Sequence, residues 1–168
     1  FEVINEMQTA LMMGMPQGEV SAYISGGGDI SCYPHLENLT ASLNQFSISS
    51  VLGYTCGKGI NDSEMATRLI NNGVKEVSFT IFSSDPKLRR EWVKDPNPEE
   101  ALKACKIFCE NIDLTGAAVI IPGVNDTVNY IKDLSKFIKD NIKNVTRVDF
   151  LPYHKMGLEK YDKLGIVS

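Results

Sequence analysis

Five short segments of this chain carry residue types that chemistry uses, and each follows an apolar run. The first is Ser25-Gly26-Gly27-Gly28-Asp29. Consecutive glycines leave backbone N–H and C=O groups with no Cβ above them, so a ligand can come close. Asp29 beside them can accept from an ammonium group. The run is not G-x-G-x-x-G and no Walker lysine follows, which argues against a dinucleotide or P-loop site. A tight turn with a helix cap is the plainer reading. The other segments are 53–59, Ser83-Ser84-Asp85, Pro122-Gly123-Val124-Asn125-Asp126 and Pro152-Tyr153-His154. Of the two histidines, His154 is the better functional candidate, and His35 belongs to the helix after the glycines. Asp29, Asp126 and His154 offer a further reading, general acid–base chemistry.

The four cysteines form no recognisable ligand set. Cys105 and Cys109 are one helical turn apart, a spacing open to metal binding, but two small apolar groups in a core are the plainer reading. Cys32 and Cys56 each follow a glycine segment. Two lone thiols make neither a zinc nor an iron–sulfur motif. Lys87, Arg89 and Arg90 form a basic cluster in the irregular segment 85–98. A solvated face is expected for it, with a cofactor or peptide carboxylate as the alternative partner of one of its charges. Trp92 in that segment either packs it over the fold or forms a substrate wall.

The elements that must position these groups alternate along the chain. Apolar, β-branched runs at 20–25, 49–54, 76–82, 114–121 and 145–151 read as strands buried on both faces. Helical periods occupy 1–13, 34–46, 62–72, 98–110 and 126–140. An Asp-Ser pair opens the third helix and Gly73 stops it; Pro98 suits the first turn of the fourth. Strand starts recur at roughly the ~30-residue repeat of a βαβ unit. The fold expected is α/β, a partial (β/α) TIM-type barrel with parallel strands. All five polar segments then fall at the C-terminal strand ends, where such folds bind ligands.

Composition narrows the function. The chain has 168 residues, 17 basic and 21 acidic, a net charge of −4. No basic excess calls for nucleic acid. No apolar run reaches the ~18 residues needed to cross a bilayer. Sparse cysteine usage suits a reducing cytoplasm. A length of this size suits one domain.

The strand-end segments resemble the core of a radical S-adenosylmethionine (radical SAM) enzyme. That resemblance implies S-adenosylmethionine beside a [4Fe–4S] cluster, a 5′-deoxyadenosyl radical, an electron donor and a protein or peptide substrate. It makes the five strands the second to sixth of the barrel. Gly26, Gly27, Gly28 and Asp29 stand where the family binds the methionyl amino group, with Asp29 in place of the usual Glu. Thr80 and Ser83 fall in the region 78–84 that meets the ribose and carboxylate. Pro122 and Gly123 lie near the adenine, and Leu151, Tyr153 and His154 on the strand that holds the adenine ring. Residues 24–126 (ISGGGDISCYP, GYTCGKG, EVSFTIFSSDPKLRREWVKDPNPE, IPGVND) are similar to the methanogenesis-marker arginine C-methyltransferase of methyl-coenzyme M reductase. That likeness implies peptidyl arginine C-methylation and a cobalamin. Residues 147–165 (RVDFLPYHKMGLEKYDKLG) resemble glycyl-radical-enzyme activases such as the pyruvate formate-lyase activator. The family's Cys-x-x-x-Cys-x-x-Cys loop does not occur in the chain. The expectation is therefore a single truncated barrel domain over 1–168, its first strand and cluster loop upstream and the chain alone inactive. A non-catalytic barrel-like binding module is the alternative.

Overall fold

The computed structural model describes residues 2–14, 19–155 and 157–165. Phe1, on which the expected first helix opens, and Met156 lie outside them. The strands are β1 (Ser21–Ile24), β2 (Ser49–Thr55), β3 (Val74–Thr80), β4 (Asp113–Ile120) and β5 (Val145–Pro152). They form one sheet in the order β1-β2-β3-β4-β5, every neighbouring pair parallel. Each crossover therefore steps one strand in the same direction. Right-handed crossovers that never reverse put all intervening helices on one face, which is barrel winding rather than doubly wound layering. The partial α/β barrel expected from the sequence is the fold observed.

The helices are α1 (Glu2–Met12), α2 (Leu36–Gln45), α3 (Glu64–Asn71), α4 (Pro86–Leu88), α5 (Pro98–Asn111), α6 (Val128–Asn141) and α7 (Leu158–Lys163). A 3-10 helix covers Ile30–Cys32, and a π-helix covers Arg89–Val93. α5 shows why these segments fold as they do. Its buried residues are Pro98, Ala101, Leu102, Ala104, Cys105, Phe108 and Cys109, one apolar stripe at helical spacing. Cys105 and Cys109 are thus core residues, as the plainer reading held. Asp62 Oδ1 accepts from the Glu64 amide at 3.0 Å and opens α3. Gly73, at a φ of +89°, ends it in the left-handed conformation that glycine adopts without strain.

The two faces of the sheet differ in character. Toward the helices point Leu52, Val77, Phe79, Ile81, Leu114 and Ala118, all buried in one apolar cluster. Burying a ring such as Phe79 contributes roughly 1.5–3 kcal/mol. The alternate residues of β3, β4 and β5 form rows across the other face: Ser78, Thr115 and Arg147, then Thr80, Ala117 and Asp149. Barrel interiors usually hold layers of branched apolar side chains. This inner face is largely polar, and Arg147 and Asp149 on it form an ion pair at 3.0 Å.

β3 starts and ends two residues earlier than the expected 76–82. Phe82 takes a left-handed φ of +53°, so the chain turns out of the sheet before it. The Tyr130 hydroxyl of α6 donates to the Phe82 carbonyl and holds that turn.

Candidate functional site

The glycine run leaves β1 at its C-terminal end and lines an open depression of about 320 Å³ with Asp29, Cys32 and Tyr33. None of glycines 26–28 has a positive φ. A Cβ added at Gly26 or Gly28 would meet nothing within 4 Å, and one at Gly27 would meet only Lys160 Nζ, at 3.5 Å. Neither backbone conformation nor crowding asks for glycine here. What glycine provides is three exposed peptide units with no side chain over them. Gly59 is the opposite case: its Cβ would lie 2.1 Å from the Ser31 carbonyl oxygen, so the β2 loop packs directly on the 3-10 helix.

Asp29 anchors the run to the fold. Its Oδ1 accepts from the Ser31 amide at 2.9 Å, the Ser31 hydroxyl at 2.6 Å and the Thr55 hydroxyl at 2.6 Å. Its Oδ2 accepts from the Cys56 amide and thiol, both at 2.7 Å. Five donors fill the lone pairs of a carboxylate. Asp29 is thus used differently from the free ammonium acceptor expected. Burial works against its charge, but the bonds from Cys56, Ser31 and Thr55 outweigh it and hold the carboxyl below the ordinary 3.8. Burial, and then the Asp29 charge, push the Cys56 thiol up to about 12. Cys56 is a neutral donor here and not a thiolate ligand.

Arg89 departs most from expectation. It lies not on a solvated face but fully buried with Asp95. Nε and Nη2 donate to Asp95 Oδ2 at 3.0 and 2.7 Å. Nη1 donates to the Ile81 carbonyl at 2.6 Å and Nη2 to the Cys56 carbonyl at 2.5 Å. Arg89 thereby ties the ends of β2 and β3 to the segment that carries Trp92, which stays exposed. Sequence reasoning placed Arg89 on a solvated face and missed Asp95, Ser31 and Thr55. The visible signal was for Thr55 alone, a polar residue closing an apolar strand.

The remaining candidates line the same edge. Thr80 is half-buried at the end of β3, and Ser83 is buried, its hydroxyl accepting from the Asp85 amide at 3.0 Å. Asn125 closes the turn after β4: it accepts from the Ile121 amide at 2.6 Å and donates to the Val119 carbonyl at 2.8 Å. Pro122 and Gly123 project at the tip of that turn. Leu151 is half-buried in β5, and Tyr153 and His154 follow, exposed. Lys160 of α7 reaches back from the β5 side and donates to the Gly27 carbonyl at 3.3 Å. A helix that follows β5 can touch the loop after β1 only because the sheet curls.

The radical SAM superfamily model matches residues 5–138 of this chain. The chain belongs to the radical SAM superfamily. Pyruvate formate-lyase-activating enzymes are among its relatives. That of Clostridium pasteurianum is 46% identical over 48 residues, 29% of this chain and 20% of the relative. That of Staphylococcus epidermidis is 24% identical over 169 residues, 97% of this chain and 66% of the relative. The radical SAM chain described here thus spans less than two thirds of the length of these relatives. A domain of the pyruvate-formate lyase-activating enzyme from Bacteroides vulgatus shares the fold at a TM-score of 0.64 and 17% identity, covering 89% of this chain and 96% of that one. These comparisons support neither arginine C-methylation nor a cobalamin.

A radical SAM fold implies S-adenosylmethionine and a [4Fe–4S] cluster. The bare glycine run fits the first, because its Gly27 carbonyl already accepts an ammonium, that of Lys160. The cysteines do not fit the second. Cys32 is exposed, Cys56 is bonded to Asp29, and Cys105 and Cys109 are buried. Among the described residues no group of three or more His, Cys, Asp or Glu could hold a metal ion. No helix among them is long and apolar enough to cross a membrane.

Proposed function

We propose that this chain is the S-adenosylmethionine-binding part of a radical SAM enzyme that acts on a protein partner, in the manner of a glycyl-radical-enzyme activase. The observation that carries this reading is the glycine run, whose backbone is bare although nothing in the fold requires glycine there. The Gly27 carbonyl and the neighbouring peptide units of Gly26 and Gly28 would hold the methionyl ammonium. Thr80 and Ser83 at the end of β3 would meet the ribose and carboxylate. Pro122, Gly123, Leu151, Tyr153 and His154 would border the adenine. Bound S-adenosylmethionine would supply, on a one-electron reduction that breaks its sulfur–C5′ bond, methionine and a 5′-deoxyadenosyl radical able to take hydrogen from the substrate. The cluster ligands would come from outside residues 1–168, and the domain would be a truncated barrel. The activase reading draws on the relatives' names and the 147–165 resemblance.

The test uses the full-length protein, reconstituted anaerobically with iron and sulfide and given a reductant. 5′-Deoxyadenosine should form from S-adenosylmethionine, and a glycyl-radical resonance should appear on a partner enzyme. Absence of 5′-deoxyadenosine overturns the reading. A gain of one methyl group on a partner arginine, with no radical resonance, overturns the activase half of it. The 168-residue chain alone should stay colourless in the same reconstitution.

A further inference from the structure

The Arg89 guanidinium and the Asp29 carboxylate do not touch, yet Cys56 bonds both. Its carbonyl accepts from Arg89 at 2.5 Å, and its amide and thiol donate to Asp29 at 2.7 Å. The chain of bonds continues at either end. Ser31 Oγ, bound to Asp29, accepts from the Gly59 amide at 2.9 Å, and Thr55 Oγ1 accepts from the Gly57 amide at 3.0 Å. Asp95, bound to Arg89, accepts from the Asn97 amide at 3.1 Å. One connected network thus crosses the ends of β1, β2 and β3 and finishes at the residue that follows the glycines. Of the glycines themselves only Gly27 is touched by a side chain, Lys160 at 3.3 Å from its carbonyl, and a Cβ at Gly26 or Gly28 would meet only space. Three consecutive glycines are the most mobile backbone a chain can offer, and ordering them costs more entropy than ordering any other residues. Something adjacent must fix them if they are to form a precise ligand cradle.

We propose that Cys56 is a positioning residue for the glycine run, its thiol and amide holding Asp29 so that the run meets its ligand already ordered. The inference rests on the reading that the run holds the methionyl end of S-adenosylmethionine. Arg89 and Asp95 fix the Cys56 peptide from below. Cys56 then presents two parallel donors to Asp29 Oδ2, and Asp29 sets where the run ends. A preorganised loop binds without losing that freedom again on association. Weakening any link should loosen the loop and lower affinity for the cofactor while the fold persists.

The variant that separates this role from fold maintenance is Cys56→Ala in the full-length protein. It removes one thiol donor and leaves the Arg89–Asp95 pair and the Cys56 amide intact. Cys56→Ser restores a donor to the same oxygen. The first readout needs no ligand: amide hydrogen exchange in segment 25–32. Loss of one bond to a charged group should speed exchange about tenfold in Cys56→Ala, and Cys56→Ser should return it toward wild type. The second readout is S-adenosylmethionine turnover to 5′-deoxyadenosine. KM should rise about five- to tenfold in Cys56→Ala with kcat nearly retained, and recover in Cys56→Ser. A purely structural residue would lower the melting temperature and the active fraction and leave KM unchanged. Unchanged exchange and unchanged KM in Cys56→Ala overturn the proposal. Wild-type protein that fails to bind S-adenosylmethionine refutes the functional reading instead, and the exchange measurement still decides whether the network orders the loop.

Discussion

Asp95→Ala leaves the Arg89 guanidinium in a site sealed from water. Both side chains are 0% exposed. Removing one partner of such a pair typically costs about 3–5 kcal/mol, because the remaining charge keeps its desolvation penalty. Arg89→Met should cost at least as much, since it also strips the donors from the Ile81 and Cys56 carbonyls. For a simple ion pair, replacing both members with apolar residues restores stability. Here the double variant Arg89→Met/Asp95→Ala should remain destabilised, because two buried carbonyls lose their partner at roughly 1–3 kcal/mol each. The double should still lose less than the sum of the singles, by about 2–3 kcal/mol. Urea denaturation followed by circular dichroism measures all three variants, provided the slope m is unchanged. A loss below about 1 kcal/mol in Asp95→Ala, or a double variant as stable as wild type, would refute the assignment of Arg89 as the buried tie between strand ends.

The pH dependence of stability should follow two groups. Asp29, with a depressed folded value, contributes stability that is fully present above 3.8 and lost as pH falls through that folded value. Cys56, raised from 9.0 to about 12, contributes stability fully present below 9.0 and lost as pH rises toward 12. Denaturation midpoints across that alkaline window should flatten in Cys56→Ala. Gly59→Ala should be severely destabilising, because its Cβ meets backbone at 2.1 Å, whereas Gly28→Ala should leave the melting temperature unchanged and weaken S-adenosylmethionine binding. Tyr130→Phe should cost about 0.5–1.5 kcal/mol by freeing the Phe82 carbonyl, read as a shifted midpoint with unchanged slope.

Much of the fold was legible because its signals are periodic. The α5 stripe from Pro98 to Cys109 and the apolar run of β4 each repeat one rule often enough to be unmistakable. Gly73 and Pro98 marked helix limits for stereochemical reasons that hold in any context. The convergence of the polar segments on one edge of the sheet was legible too, since segments after parallel strands converge by topology alone. What each polar residue does was not. Arg89 reads as one of three cations in an irregular segment, and only the π-helical turn at Arg89–Val93 and the return of Asp95 bring its fork under two strand ends. Asp29 reads as a free carboxylate because its partners Thr55 and Cys56 lie a whole βαβ unit further on. Burial of a charge is a property of the assembled neighbours, and local pattern does not encode it.

The two-sided sheet separates two kinds of selection along one strand. In β3, Val77 and Phe79 belong to the apolar cluster against the helices, while Ser78 and Thr80 belong to the inner rows. Neighbours in sequence therefore answer to different demands. Changes at Val77 and Phe79 are filtered by packing against the helices, and changes at Ser78 and Thr80 by the inner rows. Inner positions such as Ser78, Thr115 and Arg147 can change without touching the apolar cluster that packs the helices. Homologues of this chain should vary most in alternate steps of two, on the side that the helices do not cover.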